Sequence, residues 1–282
     1  MTTKELKKFA AEIRLWTVKC VGARGFGHLG GALSVVDALA VLYAGGESGM
    51  KINPANPQWK ERDKLVMSKG HAGPALYATL ALKGYFDKEI LTTLNQPGTT
   101  LPSHCDRKLT PGVDMTTGSL GQGVSTAIGL ALAQRMDGNG ARTFLFTGDG
   151  ELNEGQVWEG ALFAPAQKLT NLTWFVDYNK KQLDGHTTEI IDLGDLAAKF
   201  SSFGWFAQSI DGGDVEAIVA AIQKAKAADK PACIVLNTTK GAGVPLVAAI
   251  ELNHHIPFEG EIFEKSVAYL EDAIASIDGG TA

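Results

Sequence analysis

"RTFLFTGDGELNEGQVWEGALFAPAQKLTNLTWFVDYN", residues 142–179, decides the reading of this chain. "RTFLFTGD" is a continuous apolar strand, "EGQVWEGALFAPAQ" a helix and "LTWFVDYN" a second apolar strand. Strands without polar alternation are buried on both faces, and a helix between two of them makes a parallel βαβ unit. The alternation continues downstream. "LGDLAAKFSSFG" reads as a helix, "WFAQSID" as a strand, "DVEAIVAAIQKAKAA" as a helix and "PACIVLNTT" as a strand. The expected fold class is therefore α/β, a doubly wound parallel sheet with helices on both faces. No repeat, low-complexity stretch or linker interrupts the sequence, so residues 1–282 are read as a single domain.

Upstream of this unit the elements are less regular. Residues 4–22 carry Leu6, Phe9, Ala10, Ile13, Trp16 and Cys20 at helical spacing, with Thr2 or Thr3 as the cap. The glycine-rich loop "GARGFGHLGGALS" leads into "SVVDALAVLYAG", a buried helix with Ser34 as its expected N-cap. "DKLVMS" is a short strand and "GHAGPALYATLALKGYF" opens a helix. Residues 90–117 read as irregular. "GSLGQGVSTAIGLALAQRM" starts as a glycine loop and continues as a tightly packed helix of small residues. A last amphipathic helix is expected at about 260–277.

Bulk properties narrow the function. With 45% hydrophobic and 20% charged residues, the 282-residue chain has the composition of a soluble globular protein. Its net charge of −5 argues against general nucleic-acid or membrane-surface binding, and no apolar run reaches the ~18–20 residues of a membrane span. The N-terminus is charged and amphipathic, unlike a secretion signal. Cys20, Cys105 and Cys233 are far apart and odd in number, which suits a reducing cytoplasm.

The chemistry is expected after the strands, where ligands of parallel sheets bind. Asp149 and Asn179 each follow an apolar strand, and the topology places them at one sheet edge. A hard cation such as Mg²⁺ takes a carboxylate, an amide oxygen, a backbone carbonyl and phosphate oxygens. Asp149 and Asn179 offer the first two, and Lys181 in "NKKQLDG" offers its carbonyl. The turn Gly148-Asp149-Gly150 lets the backbone come close, and the helix beginning near Glu154 aims amides at an anion. The plainer reading makes Asp149 and Asn179 strand-end caps and turn residues.

These segments resemble the thiamine-diphosphate motif, a GDG followed about thirty residues later by Asn, and more narrowly they resemble transketolase. "GHLGGALSVVDALAVLY", "RDKLVMSKGHAGPALYA", "DMTTGSLGQGVSTAIGLALA" and "LDGHT" resemble transketolase segments in the family's order, over residues 5–258. The resemblance implies a diphosphate-binding domain with thiamine diphosphate and Mg²⁺, or Ca²⁺ or Mn²⁺, as cofactors. His28, His71 and His104 match three active-site histidines. The fourth falls in "NHHIPF", where spacing favours His254 over His255. His104 stands in Ser-His-Cys where the family has Gly-His-Pro. His71, His104, Gly118, Ser119, Leu120, Gly148, Asp149, Gly150, Glu154 and Asn179 are the implied cofactor contacts. Asp149, Asn179 and the Lys181 carbonyl are the implied metal ligands. "TTKGAG" is read as a mobile loop over the cofactor. Glu154 and Glu159 match acidic positions at the family's subunit interface, although helix-dipole complementarity alone would also put acids there.

Neutral imidazoles suit this work independently of the resemblance, since they exchange hydrogen bonds with sugar hydroxyls and shuttle protons near neutrality. His186 follows a turn and carries no assigned role. A zinc site is not indicated, because no two histidines stand at i,i+4 or H-x-H spacing and His254 and His255 should point apart.

Transketolases are about twice this length. Their second portion holds the aminopyrimidine and its activating glutamate, and most arginines for the sugar phosphate. The resemblance therefore implies the N-terminal subunit of a split transketolase. A separate partner would carry the pyrimidine-binding and C-terminal domains, in an α2β2 assembly. The reaction implied is transfer of a two-carbon ketol unit from a ketose to an aldose, both usually phosphorylated. The alternatives are a deoxyxylulose-phosphate synthase fragment, a 2-oxoacid dehydrogenase α-subunit, a non-catalytic binding subunit and a Rossmann protein. "GSLGQG" lacks the strand and glycine order for the last.

Overall fold

In the computed structural model, which describes residues 1–280, five strands make one parallel sheet. In chain order the elements begin with α1 (Thr3–Arg24), β1 (Phe26–Gly27), α2 (Gly30–Leu33) and α3 (Val36–Ala44). They continue with β2 (Lys64–Met67), α4 (Gly73–Leu82), α5 (Gln122–Asp137), β3 (Thr143–Gly148), α6 (Gly155–Ala166) and β4 (Leu172–Tyr178). The remainder is α7 (Thr187–Ile190), α8 (Leu196–Ser202), β5 (Phe206–Asp211), α9 (Val215–Ala227), β6 (Ala232–Asn237), α10 (Pro245–Ala248), β7 (Ile256–Pro257) and α11 (Gly260–Gly279). The sheet order is β2-β3-β4-β6-β5, every pair parallel. No helix among the described residues is long and apolar enough to cross a membrane.

The strands bury both faces, as their unbroken apolar sequences require. Phe144, Phe146, Phe175, Ile234 and Leu236 face one core, shared with α1, α3, α4 and α9. Leu145, Trp174, Val176, Cys233 and Val235 alternate with them into a second core, under α5, α6 and α8. Small residues let α5 and α6 approach closely: a Cβ on Gly160 would lie 2.6 Å from a Val124 methyl.

Thr2 caps α1 in a full capping box with Glu5. Ser34 is not an N-cap. The expected helix breaks at Val35, and the Ser34 hydroxyl instead donates to Asp177 Oδ2 at 2.7 Å. A buried carboxylate on β4 thus takes the hydroxyl that a helix terminus would have used.

Far from the sheet in sequence, β1 and β7 pair antiparallel, Phe26 with Pro257 and Gly27 with Ile256. This short ribbon ties the loop after α1 to the segment that precedes α11. It brings the segments of His28 and His254 side by side.

Candidate active site

The C-terminal ends of β2, β3 and β4 open on a cavity of about 340 Å³. Register puts Gly148 opposite Asp177, so the residues that follow, Asp149 and Asn179, share one edge as the sequence implies. The Lys180 amide donates to Asp149 Oδ2 at 2.6 Å and the Gly150 amide to Oδ1 at 2.9 Å. The Asp149 carboxylate is buried yet, among the described residues, lacks a cationic side chain within ion-pairing distance. Burial, reinforced by Asp177 nearby, pushes its pKa up to about 7. A deeply buried carboxylate held only by backbone amides suits a hard cation. A Cβ on Gly148 would meet nothing nearer than Lys69 Cδ at 3.9 Å, so packing alone does not demand glycine there. Both observations fit a cation and an anion lying against this turn.

Of the histidines, His28, His71 and His254 line the cavity. Their rings stand edge to face or tilted, with centroids 4.6 Å (His28–His71), 5.3 Å (His28–His254) and 5.4 Å (His71–His254) apart. Spacing in sequence gave no sign of a metal cluster, yet the fold gathers ligand nitrogens of these three within 4.8 Å of one another. His254 and His255 both reach His28, the latter at 4.7 Å, while only His254 lines the cavity. Burial, then the neighbouring positive groups, lowers His28 and His254 to about 3 and His71 to about 4. All three are neutral near pH 7.

Leu120, Gly148, Gly150, Glu154 and Lys181 also line the cavity, whereas His104, Gly118 and Ser119 do not. His104 packs edge-on behind His71, centroids 4.6 Å apart, and burial lowers its pKa. Gly118 backs it: a Cβ there would lie 3.2 Å from His104 Cβ. Ser119 is exposed, and its carbonyl accepts the Gln122 amide at the start of α5. His186 stays outside the cluster, 2.9 Å from Glu251. Glu154 and Glu159 are exposed, and Glu154 occupies the N-cap position of α6 without making a capping bond.

Two lysines escaped the sequence reading. Lys69 forms a buried ion pair with Asp177. Burial acts against the Asp177 charge, but Lys69, with hydroxyls from Thr238 and Ser34, holds its pKa below the usual range. Lys240, in the "TTKGAG" loop, is buried and directs Nζ to the Lys181 carbonyl at 3.0 Å and to His254 Nδ1 at 3.1 Å. The expected third metal ligand thus has an ammonium as its partner. Burial and Lys69 lower Lys240 to about 8. That loop is also tied down rather than free: the Gly241 amide donates to Gly30 O, and Asn253 Nδ2 to Lys240 O. A lysine flanked by glycine and threonine reads as solvent-exposed in a sequence, so its partner near residue 181 was the missing signal.

Residues 6–267 match the family described as transketolase, thiamine diphosphate binding domain. The chain is 51% identical over 268 residues to the 6-deoxy-6-sulfo-D-fructose transketolase subunit SqwG of Clostridium sp. (strain MSTE9), covering 95% of this chain and 96% of that protein. It is 34% identical to one of the apulose-4-phosphate transketolase subunits of Phocaeicola vulgatus, with 89% of each chain covered. Among solved structures, transketolase from Campylobacter jejuni superposes with a TM-score of 0.85 at 28% identity, over 99% of this chain but 48% of that one. The Pichia stipitis transketolase complex with sedoheptulose 7-phosphate gives 0.84 at 30% identity, over 99% and 46%. The chain spans about half the length of these solved transketolases.

Proposed function

We propose a function from one premise: the chain belongs to the transketolase family, through its thiamine diphosphate binding domain. On this reading it is the N-terminal subunit of a two-subunit transketolase. It moves a two-carbon ketol unit from a ketose to an aldose, and it is active only with a partner carrying the pyrimidine-binding and C-terminal domains. The observation that carries the reading is the convergence of the Asp149–Asn179 edge and the histidines His28, His71 and His254 on one cavity. The relatives named as subunits, and the half-length match to solved transketolases, support a separate partner. An α2β2 assembly would place exposed Glu154 and Glu159 at contacts between subunits.

Asp149, Asn179 and the Lys181 carbonyl would hold Mg²⁺, after Lys240 Nζ releases that carbonyl. Lys69 and Lys240, with the amides around Gly150, would balance a diphosphate. Leu120 would face the cofactor's ring, and His104, packed behind His71, would keep that imidazole in place. Thiamine diphosphate, when bound, supplies the carbon centre that takes the ketol unit from one sugar and gives it to the other. The chain's own residues do the rest. Neutral His28, His71 and His254 at the cavity wall donate to substrate oxygens as an oxyanion develops. Because an ammonium can only donate, Lys240 makes His254 Nδ1 an acceptor and leaves the proton on Nε2.

The donor ketose is proposed to carry an anionic group, phosphate or sulfonate, at the end remote from its carbonyl. The sulfonated case rests on the 51% identity to a sulfofructose transketolase subunit. Calorimetry with thiamine diphosphate and Mg²⁺, on the chain alone and with the product of a neighbouring gene, tests the cofactor and the partner together. Binding that needs both subunits is expected. Ketol transfer from 6-deoxy-6-sulfo-D-fructose, against fructose 6-phosphate, then tests the donor. A single purified chain that transfers ketol groups unaided would sink the two-subunit reading.

A further inference from the structure

Glu151 directly follows the Gly148–Gly150 turn, lies 2% exposed, and is used by none of the roles above. An ionisable side chain so buried is costly unless each acceptor is occupied. Both oxygens are. Oε1 accepts from the Ser68 hydroxyl and, at 2.8 Å, from the Gly121 amide, and Oε2 accepts from the Gly148 amide at 3.1 Å. The three donors sit on three loops that leave different elements. Ser68 follows β2 and precedes Lys69 and His71. Gly121 follows Leu120 and begins α5 with φ 80°. Gly148 ends β3 and precedes Asp149.

We infer that Glu151 is a positioning residue for the cofactor: one buried carboxylate fixes the mutual spacing of the three loops that carry Lys69 and His71, Leu120, and Asp149. The inference rests on the thiamine-diphosphate reading for what those loops hold, but not for the geometry itself. A carboxylate suits the task because it is acceptor-only at both oxygens, and every donor here is an N–H or O–H. Hydrogen bonds to an ionised acceptor are also stronger than neutral ones. An amide in its place has one oxygen. Whichever way it is turned, its NH₂ faces either the Gly148 amide or the Ser68–Gly121 pair, donor against donor, and one loop is released.

Glu151→Gln, studied in the chain assembled with its partner subunit, is the first test. Its affinity for thiamine diphosphate at saturating Mg²⁺ should fall at least tenfold. In the same variant without cofactor, hydrogen exchange at the Gly121 and Gly148 amides should accelerate together, while amides of β4 and β6 keep their protection. Ser68→Ala removes one donor and leaves every backbone group in place. It should weaken the cofactor in the same direction by a smaller factor, and it carries the test if the glutamine variant does not fold. A carboxylate that merely fills space would lower the melting temperature and leave the cofactor affinity of the folded complex within twofold; that result overturns the proposal. Unchanged exchange at Gly121 and Gly148 overturns it too, whatever the cofactor proves to be. Failure of the wild-type complex to bind thiamine diphosphate would instead count against the function proposed above.

Discussion

The ammonium of Lys240 lies 3.1 Å from Nδ1 of His254, although they stand 14 positions apart and the sequence gives no hint of the contact. Lys240→Met removes both the donor and the positive charge. The His254 pKa should rise toward its ordinary value, and the fixed tautomer should be lost. Nitrogen-15 shifts of the imidazole would show both changes. Thiamine diphosphate affinity should fall by an order of magnitude or more, because one of the two buried lysines lining the cavity has gone.

Histidine titration gives a second test. Folding depresses His28 and His254 to about 3 and His71 to about 4, from 6.5 in the unfolded chain. Groups depressed in this way add stability above 6.5, and that stability is lost as pH falls toward 3. The imidazole signals of all three should not titrate between pH 8 and 5. Denaturation at pH 5 should show net proton uptake, which pH-dependent urea midpoints would register.

Asp149 has the opposite sign. Its pKa is raised by folding from 3.8 to about 7, so its contribution is intact below 3.8 and is lost as pH rises through 7. Without divalent cation, stability should decline over that window by up to about 1.4 kcal/mol per pH unit. Asp149→Asn should flatten this slope and abolish Mg²⁺-supported cofactor binding. It should also cost stability at pH 5, since its NH₂ must face the amide of Gly150 or Lys180. Urea titrations from pH 4 to 8 would check all of this but the cofactor loss, which calorimetry reads.

The two glycines of the turn should behave differently. A Cβ on Gly148 has room within the protein, whereas one on Gly150 would lie 2.7 Å from Gln182 Cβ. Gly148→Ala should therefore fold with a nearly unchanged melting temperature and lose cofactor affinity, as its methyl group enters the cavity. Gly150→Ala should melt several degrees lower even without cofactor. Calorimetric melting of both variants separates the two effects.

Much of this was readable in the chain, for physical reasons. Apolar strands reveal parallel βαβ units, and consecutive units put Asp149 beside Asn179 at one edge. The histidines are another matter. They lie on loops without periodicity, so family resemblance rather than spacing singled them out, and it also named Ser119, which is exposed and does not line the cavity. Lys69 and Asp177 were hidden because a buried ion pair joins residues 108 positions apart. Ser34 looked like a helix cap because local sequence favours one, and a tertiary carboxylate outcompeted it. The placement of β5 outside β6 was equally invisible, since strand patterns reveal alternation but not lateral order.

The two-residue ribbon of β1 and β7 has a consequence for how the molecule comes to be. Pairing Phe26 with Pro257 closes a loop of about 230 residues. Contacts this remote in sequence carry a large closure entropy and form late. The sheet, built from nearer neighbours, can be in place while His28 still lacks His254. A nascent chain on the ribosome would then own most of its scaffold before its histidine cluster is complete. The last stretch synthesised before α11 brings His254 onto His28 and completes that cluster.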